Sequence, residues 1–216
     1  MIKFSLILSS SRRSLKYLQI LIQKKYKPSH VIFFSKKKNK QIFSILKKQK
    51  INFKFVNTDQ INDKNVSKEI IKNNNRCFIY SGYPGQIIKV KKILSKVILH
   101  AHPGSLYDFR GSTTMYYSLI LKKKIYCSVL KLNTKIDRGK VLYKKKFNLP
   151  KKIAITNFEK EFDDNIRINT IIEYLKLYSN NKKRLLKKNY SSKSNQSPYF
   201  ICHPLIRRIV INKKFY

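Results

Sequence analysis

Apolar residues gather in short runs that recur at roughly 20–28 residue intervals over the first hundred positions. The runs are Ile2–Leu8, Val31–Phe34, Asn52–Val56, Cys77–Tyr80 and Val97–Leu99. Short stretches rich in β-branched and aromatic residues predict strands. Between them the period changes: Leu15, Leu18 and Ile22, then Ile42, Ile45 and Leu46, follow the i, i+3, i+4 spacing of a helix face. Strands alternating with helices imply right-handed βαβ units and a largely parallel sheet, so the fold class is α/β with an open sheet and flanking helices. Two further strands, Tyr126–Leu132 and Val141–Phe147, lie close enough in sequence to close the sheet as a hairpin.

From Lys151 onward the pattern is different. Thr156-Asn157-Phe158-Glu159 has the form of a capping box, and Phe158, Phe162, Ile166, Ile171, Leu175 and Tyr178 continue from it at helical spacing. The Ser- and Asn-rich stretch Asn189–Ser197 reads as a loop, and the apolar piece Tyr199–Ile211 as a strand or extended hook that docks back. Residues 1–150 are expected to form the main domain, with residues 151–216 as its helix and docking tail. There are no internal repeats.

Composition narrows the class. Of 216 residues 42% are hydrophobic and 12% aromatic, a globular balance, and at this length roughly 70% of the unfolded surface can be buried. No apolar run reaches the ~20 residues of a membrane span. The opening MIKFSLILSSSRRS has an apolar segment too short for a signal peptide, with its basic pair on the wrong side, and is read as a first strand. Cys77, Cys127 and Cys202 are odd in number and widely spaced, which predicts reduced core thiols in a cytoplasmic protein. The net charge of +39 suggests a polyanionic partner. Against nucleic-acid binding stand the even spread of lysines and the lack of interleaved aromatics. Heavy use of Lys, Asn and Ile, whose codons are A/T-rich, accounts for the charge without such a partner.

The candidate chemistry is concentrated in HAHPGSLYDFRGSTTMYYSL, residues 100–119. His100 and His102 follow an apolar run, and on a strand residues two apart share a face. They would project at the carboxyl end of the strand, where open α/β sheets bind ligands. An Arg-Gly-Ser-Thr-Thr loop and a helix-like segment from Met115 to Leu121 follow. Asp137, in KIDRGKVL, supplies an acid to complete an acid–base set. His100, His102 and Asp137 could also be read as a metal triad, but no metal is expected because nothing else in the chain supports one.

His102-Pro103, Arg110-Gly111 and Asp137-Arg138-Gly139 resemble the hallmark of formyltransferases that use 10-formyl-tetrahydrofolate: Asn-x-His-Pro after a central strand, an Arg/Lys-Gly loop, and a later Asp-x-Gly. Gly111 to Ser118 is most similar to the members that modify sugars, and the resemblance covers about residues 76–147. It implies a Rossmann-like catalytic domain over residues 1–150. It also implies His102 as the acid–base residue, Asp137 as the partner that orients and charges it, and His100 at the position of the family's oxyanion-binding Asn. That substitution is the one departure. An imidazole N–H can replace the amide donor, and the alternative is a chain that has lost activity. By the same resemblance Tyr83, Pro84, Gly85 and Gln86, together with Leu132, Asn133 and Ile136, clasp the pterin. Arg110, Ser112, Thr113, Tyr116 and Tyr117 hold the acceptor, a small-molecule amine and by preference the amino group of a nucleotide-linked sugar for surface polysaccharide. Methionyl-tRNA and glycinamide ribonucleotide are alternative acceptors, the tRNA less favoured because 216 residues leave little room for a further domain. Hydrolysis of the formyl-folate and a non-catalytic RNA-binding role are the remaining rivals. The oligomeric state is not legible.

Overall fold

A computed structural model describes residues 3–106, 108–150, 153–180 and 199–212. Seven strands form one sheet: β1 (Ser5–Leu8), β2 (His30–Phe34), β3 (Asn52–Val56), β4 (Cys77–Ser81), β5 (Val97–Pro103), and two later strands, β7 (Ile125–Lys131) and β8 (Lys140–Phe147). Their order is β3-β2-β1-β4-β5-β7-β8. The sheet is mostly parallel: β1 runs parallel to β2 and β4, β2 to β3, and β4 to β5. The expected α/β class is therefore the observed one, with β7 and β8 as the predicted consecutive neighbours at one edge. A short strand, β6 (Arg110–Ser112), pairs outside this sheet with β9 (Tyr199–Ile201).

By internal contacts the chain divides into two units, Met1–His100 with Lys131–Ile136, and Ala101–Leu130 with Asp137–Tyr216. In the first unit β1 is buried along its whole length, as a strand covered on both faces must be. Its helices are α1 (Arg12–Gln23), α2 (Lys40–Lys48) and α3 (Lys64–Lys72), begun by side-chain caps from Ser11, Asn39 and Asp63. Helix α1 turns Tyr17, Leu18 and Leu21 inward. Strand order reverses between β1 and β4, and the polypeptide leaves both strands there through serines and a glycine. Such a switch point is where open sheets admit ligands.

The second unit departs from the sequence reading in three places. The Arg-Gly-Ser segment is strand β6, not loop, because β9 supplies its partner. The capping box at Thr156 is not used: the helix starts at Ile155 behind Ala154, which makes no side-chain cap, as α5 (Ile155–Asn157). It passes through a π-helical turn at Phe158–Phe162 and continues as α6 (Asp163–Asn180). Phe158, at the start of the π turn, is fully buried against Tyr116, their ring centroids 5.1 Å apart. In the tail, Tyr199–Ile201 is the expected strand, but Pro204–Asn212 is a helix, α7, not an extended hook. Pro204 suits a first helical position, and the His203 Nδ1 accepts from the Leu205 N–H at 3.3 Å. The predicted loop Asn189–Ser197 lies outside the described residues.

Candidate active site

Strand β5 is longer than the apolar run alone predicts, because His100, Ala101, His102 and Pro103 extend it. His102 is 6% exposed. Its Nδ1 lies 3.3 Å from the Asp137 carboxylate, the pairing that the resemblance implies. The other carboxylate oxygen of Asp137 accepts from the Gly111 N–H at 3.2 Å. Asp137 has φ 49°, a left-handed conformation that Asp tolerates better than most residues and that marks a position held by its surroundings. The Nε2 of His102 lies 3.3 Å from the Thr114 hydroxyl, at the start of α4 (Thr114–Lys122).

Two residues that the motif does not advertise fix the strand behind His102. Arg167 on α6 donates from its guanidinium to the Ala101 carbonyl at 2.6 Å, and its Nε contacts both oxygens of Asp163 at 2.9 and 3.0 Å. All of this is buried. In the sequence, Asp164-Asn165-Ile166-Arg167 reads equally as similar to a family segment near the acceptor and as an exposed helical charge cluster, and Asp163 carries no signal of its own.

His100 behaves differently. It is half-buried, with Nδ1 3.3 Å from the Tyr80 carbonyl and its ring 5.9 Å from that of Tyr80. Tyr80 in turn donates to the Tyr83 carbonyl at 3.1 Å, a path open only because residue 82 is glycine: a Cβ there would lie 2.5 Å from the Tyr80 hydroxyl.

The expected pterin loops both border the core of the first unit, where Tyr83 and Leu132 pack on the same apolar cluster. The Tyr83 hydroxyl sits 2.8 Å from those of Ser10 and Ser35, joining the carboxyl ends of β1, β2 and β4. Gln86 accepts from the Ile61 N–H at 2.9 Å and donates to the Asp59 carbonyl. Pro84 and Gly85 form an exposed turn, with Gly85 at φ 76°. The Leu132 N–H is bonded to Ile98, Asn133 accepts from the Lys135 N–H, and Ile136 is exposed.

Among the expected acceptor residues, Arg110 is buried and Ser112 is exposed in β6. Gly111, at φ 119°, is required here because a Cβ would meet the Phe200 carbonyl at 2.1 Å. Thr113 accepts from the Cys202 N–H at 3.1 Å. Tyr117 reaches the Ile201 carbonyl at 3.5 Å and packs on Phe109 and Phe200. Tyr116 is fully buried and donates to Glu159 at 2.9 Å; Glu159 also takes Arg207 of α7 at 3.2 Å. Burial raises the Tyr116 phenol well above its ordinary range, and the Glu159 carboxylate adds to the effect.

Among the described residues no group of three His, Cys, Asp or Glu could hold a metal ion, and no helix is long and apolar enough to cross a membrane. A groove of about 410 Å³ on α3 is lined by Lys64, Lys68, Lys72 and Lys92, and none of the expected site residues borders it.

No family model and no curated protein matches the chain. Solved structures do. A sugar N-formyltransferase from Shewanella sp. FDAARGOS_354 superposes over 99% of this chain and 88% of its own, with TM-score 0.60 and 15% identity. A formyltetrahydrofolate deformylase from Pseudomonas syringae pv. tomato DC3000 matches over 89% of this chain and 64% of its own (TM-score 0.61, 15%). Phosphoribosylglycinamide formyltransferase from Bacillus halodurans matches over 86% and 100% (TM-score 0.60, 14%). Identity this low speaks to architecture alone, and the architecture is the fold of formyltransferase-domain proteins.

Proposed function

We propose that the protein is a formyltransferase that moves a formyl group from 10-formyl-tetrahydrofolate to an amine, in the cytoplasm and without a metal. The observation that carries this reading is the pairing of buried His102 at the end of β5 with half-buried Asp137, itself fixed by the Gly111 N–H. Transfer from folate nitrogen to an amine passes through a tetrahedral intermediate. It needs a donor at the developing oxyanion and a group that moves the proton of the attacking amine. His102 handles polarisation and proton transfer, Asp137 orients and charges it, and His100 serves the oxyanion in place of an amide. The loops at Tyr83–Gln86 and Leu132–Ile136 hold the pterin through backbone groups, which Gly85 leaves approachable. Arg110, Ser112, Thr113, Tyr116 and Tyr117 form the acceptor side, and the acceptor is the amino group of a nucleotide-linked sugar. Residues 1–150 are the catalytic body, and residues 151–216 complete it. The three cysteines, all free, suit a reducing compartment.

The test is release of tetrahydrofolate from 10-formyl-tetrahydrofolate with a nucleotide-linked amino sugar, glycinamide ribonucleotide, methionyl-tRNA or no acceptor. Turnover only with the amino sugar is expected. Equal turnover without any acceptor would establish hydrolysis instead, and no turnover with any of them would overturn the reading. His100→Ala is expected to cost about 10²–10³-fold and His100→Asn to restore most of that, the size of one oxyanion donor. Activity that appears only in His100→Asn would mark the native chain as having lost it.

A further inference from the structure

The hydroxyl of Thr114 has one hydrogen and two partners. It lies 2.8 Å from the Pro103 carbonyl, which can only accept, and 3.3 Å from the Nε2 of His102. The shorter contact to an obligate acceptor takes the hydrogen, so the oxygen presents a lone pair to Nε2. A ring nitrogen facing that lone pair forms a hydrogen bond only if it carries a hydrogen itself. On its opposite side the ring faces Asp137, an acceptor when ionised, through Nδ1 at 3.3 Å. Both edges of the imidazole therefore meet acceptors.

Thr114 is fully buried, and its place depends on Gly104. A Cβ on residue 104 would lie 2.3 Å from the Thr114 oxygen, and Gly104 has φ 137°. The glycine of His-Pro-Gly and the second threonine of Gly-Ser-Thr-Thr, ten positions apart, thus fit one another. The Gly104 N–H is also tied to the Tyr126 carbonyl at 2.6 Å, and its own carbonyl accepts from Ser128 at 3.0 Å. The turn cannot easily swing away to relieve a clash.

We infer that Thr114 is a positioning residue that holds a hydrogen on Nε2 of His102, with Gly104 as the clearance that admits it. This rests on the formyl-transfer reading for its consequence but not for its geometry. An imidazole held with hydrogen on Nε2 is set as a donor. It can polarise a formyl oxygen or protonate a departing folate nitrogen before it can act as a base.

The test is ¹⁵N NMR of the full chain labelled at its histidines, with His102 assigned by loss of its signals in His102→Gln. In the unliganded protein near neutral pH, Nε2 of His102 is expected to be protonated. Thr114→Val, which keeps the shape and deletes the hydroxyl, should lose that state; Thr114→Ser should keep it; Gly104→Ala should resemble Thr114→Val. An unprotonated Nε2 in the native protein, or an unchanged Nε2 in Thr114→Val, would overturn the inference, and neither measurement needs substrate. In turnover, Thr114→Val should lower kcat about tenfold, the scale of one hydrogen bond, with KM for the folate within about twofold and recovery in Thr114→Ser. If Thr114→Val does not fold, the native spectrum and Thr114→Ser still decide. Confirmed NMR states without any transfer activity would sink the formyl-transfer reading while leaving the positioning role intact.

Discussion

In the unit built from Met1–His100 and Lys131–Ile136, the buried polar side chains are Ser5, Ser9, Ser14, Ser35, Thr58, Ser67 and Ser81, all neutral hydroxyls. In the unit built from Ala101–Leu130 and Asp137–Tyr216 they include His102, Arg110, Asp163, Asp164 and Arg167. Hydroxyls can tie a strand end to the helix that follows it at little cost, as Ser9 and Ser14 do at 3.1 Å. A buried charge is costly unless it is paired. Among the described residues the first unit buries only neutral hydroxyls, and the second holds charge in fixed positions.

The contrast can be broken most directly at Arg167. Replacing it with Met leaves Asp163 buried beside an uncharged chain, and about 3–5 kcal/mol of stability should be lost. Ser35→Ala in the first unit should cost about 1 kcal/mol. Urea unfolding measures both. Equal losses would mean that the two units do not differ as their buried groups suggest. The double variant Asp163→Leu/Arg167→Met should recover much of the stability yet remain impaired in turnover, since Ala101 loses its strut.

Activity sharpens the comparison next. His102→Ala and Asp137→Ala should each lower kcat by at least about 10²-fold, the lower bound for a positioned acid–base group, with folate binding largely retained. Tyr83→Phe, in the first unit, removes the hydroxyl between Ser10 and Ser35 and should act through KM for the folate, by about tenfold or less. Steady-state kinetics separates the two patterns, and a Tyr83→Phe defect confined to kcat would contradict the division.

Glycines offer a smaller test. Gly111→Ala places a methyl against the Phe200 carbonyl and should open the β6–β9 pair, seen as early proteolysis at the tail. Gly85→Ala, with nothing within 4 Å, should cost only the conformational penalty of a positive φ, about 1–2 kcal/mol. Comparable proteolysis in both would show that β9 is not held by Gly111.

A further effect is one the units should share. Burial pushes the thiols of Cys77 in the first unit and Cys127 in the second up to about 12, from an ordinary value of 9.0. Above pH 9 the unfolded chain gives up these protons while the folded chain keeps them, so stability should fall as pH rises from 9 towards 12. Cys127→Ala should flatten the alkaline decline in Tm without abolishing it, because Cys77 remains. At the acid end His30, lowered by burial against a smaller opposing effect of Glu69, resists protonation in the folded chain. Stability should therefore slip as pH falls below about 6.5.

Much of this was legible without coordinates. The alternation of strand and helix spacing, the hairpin position of β7 and β8 and the extent of α4 all depend on local periodicity. Those signals act within a few residues and survive in a single sequence. Other features were decided by tertiary structure because their cause lies far along the chain. Arg110–Ser112 is a strand only because Tyr199–Ile201 arrives beside it, and Pro204–Asn212 is helical where its apolar run alone suggested extension. Nor could spacing show that Asp163 and Arg167 bury their charges against Ala101, or that Gly104 makes room for Thr114 behind His102. The sequence marked which groups are candidates for chemistry. Long-range packing, which alone can remove water from a charge and fix the direction of a hydrogen bond, decided how they are held.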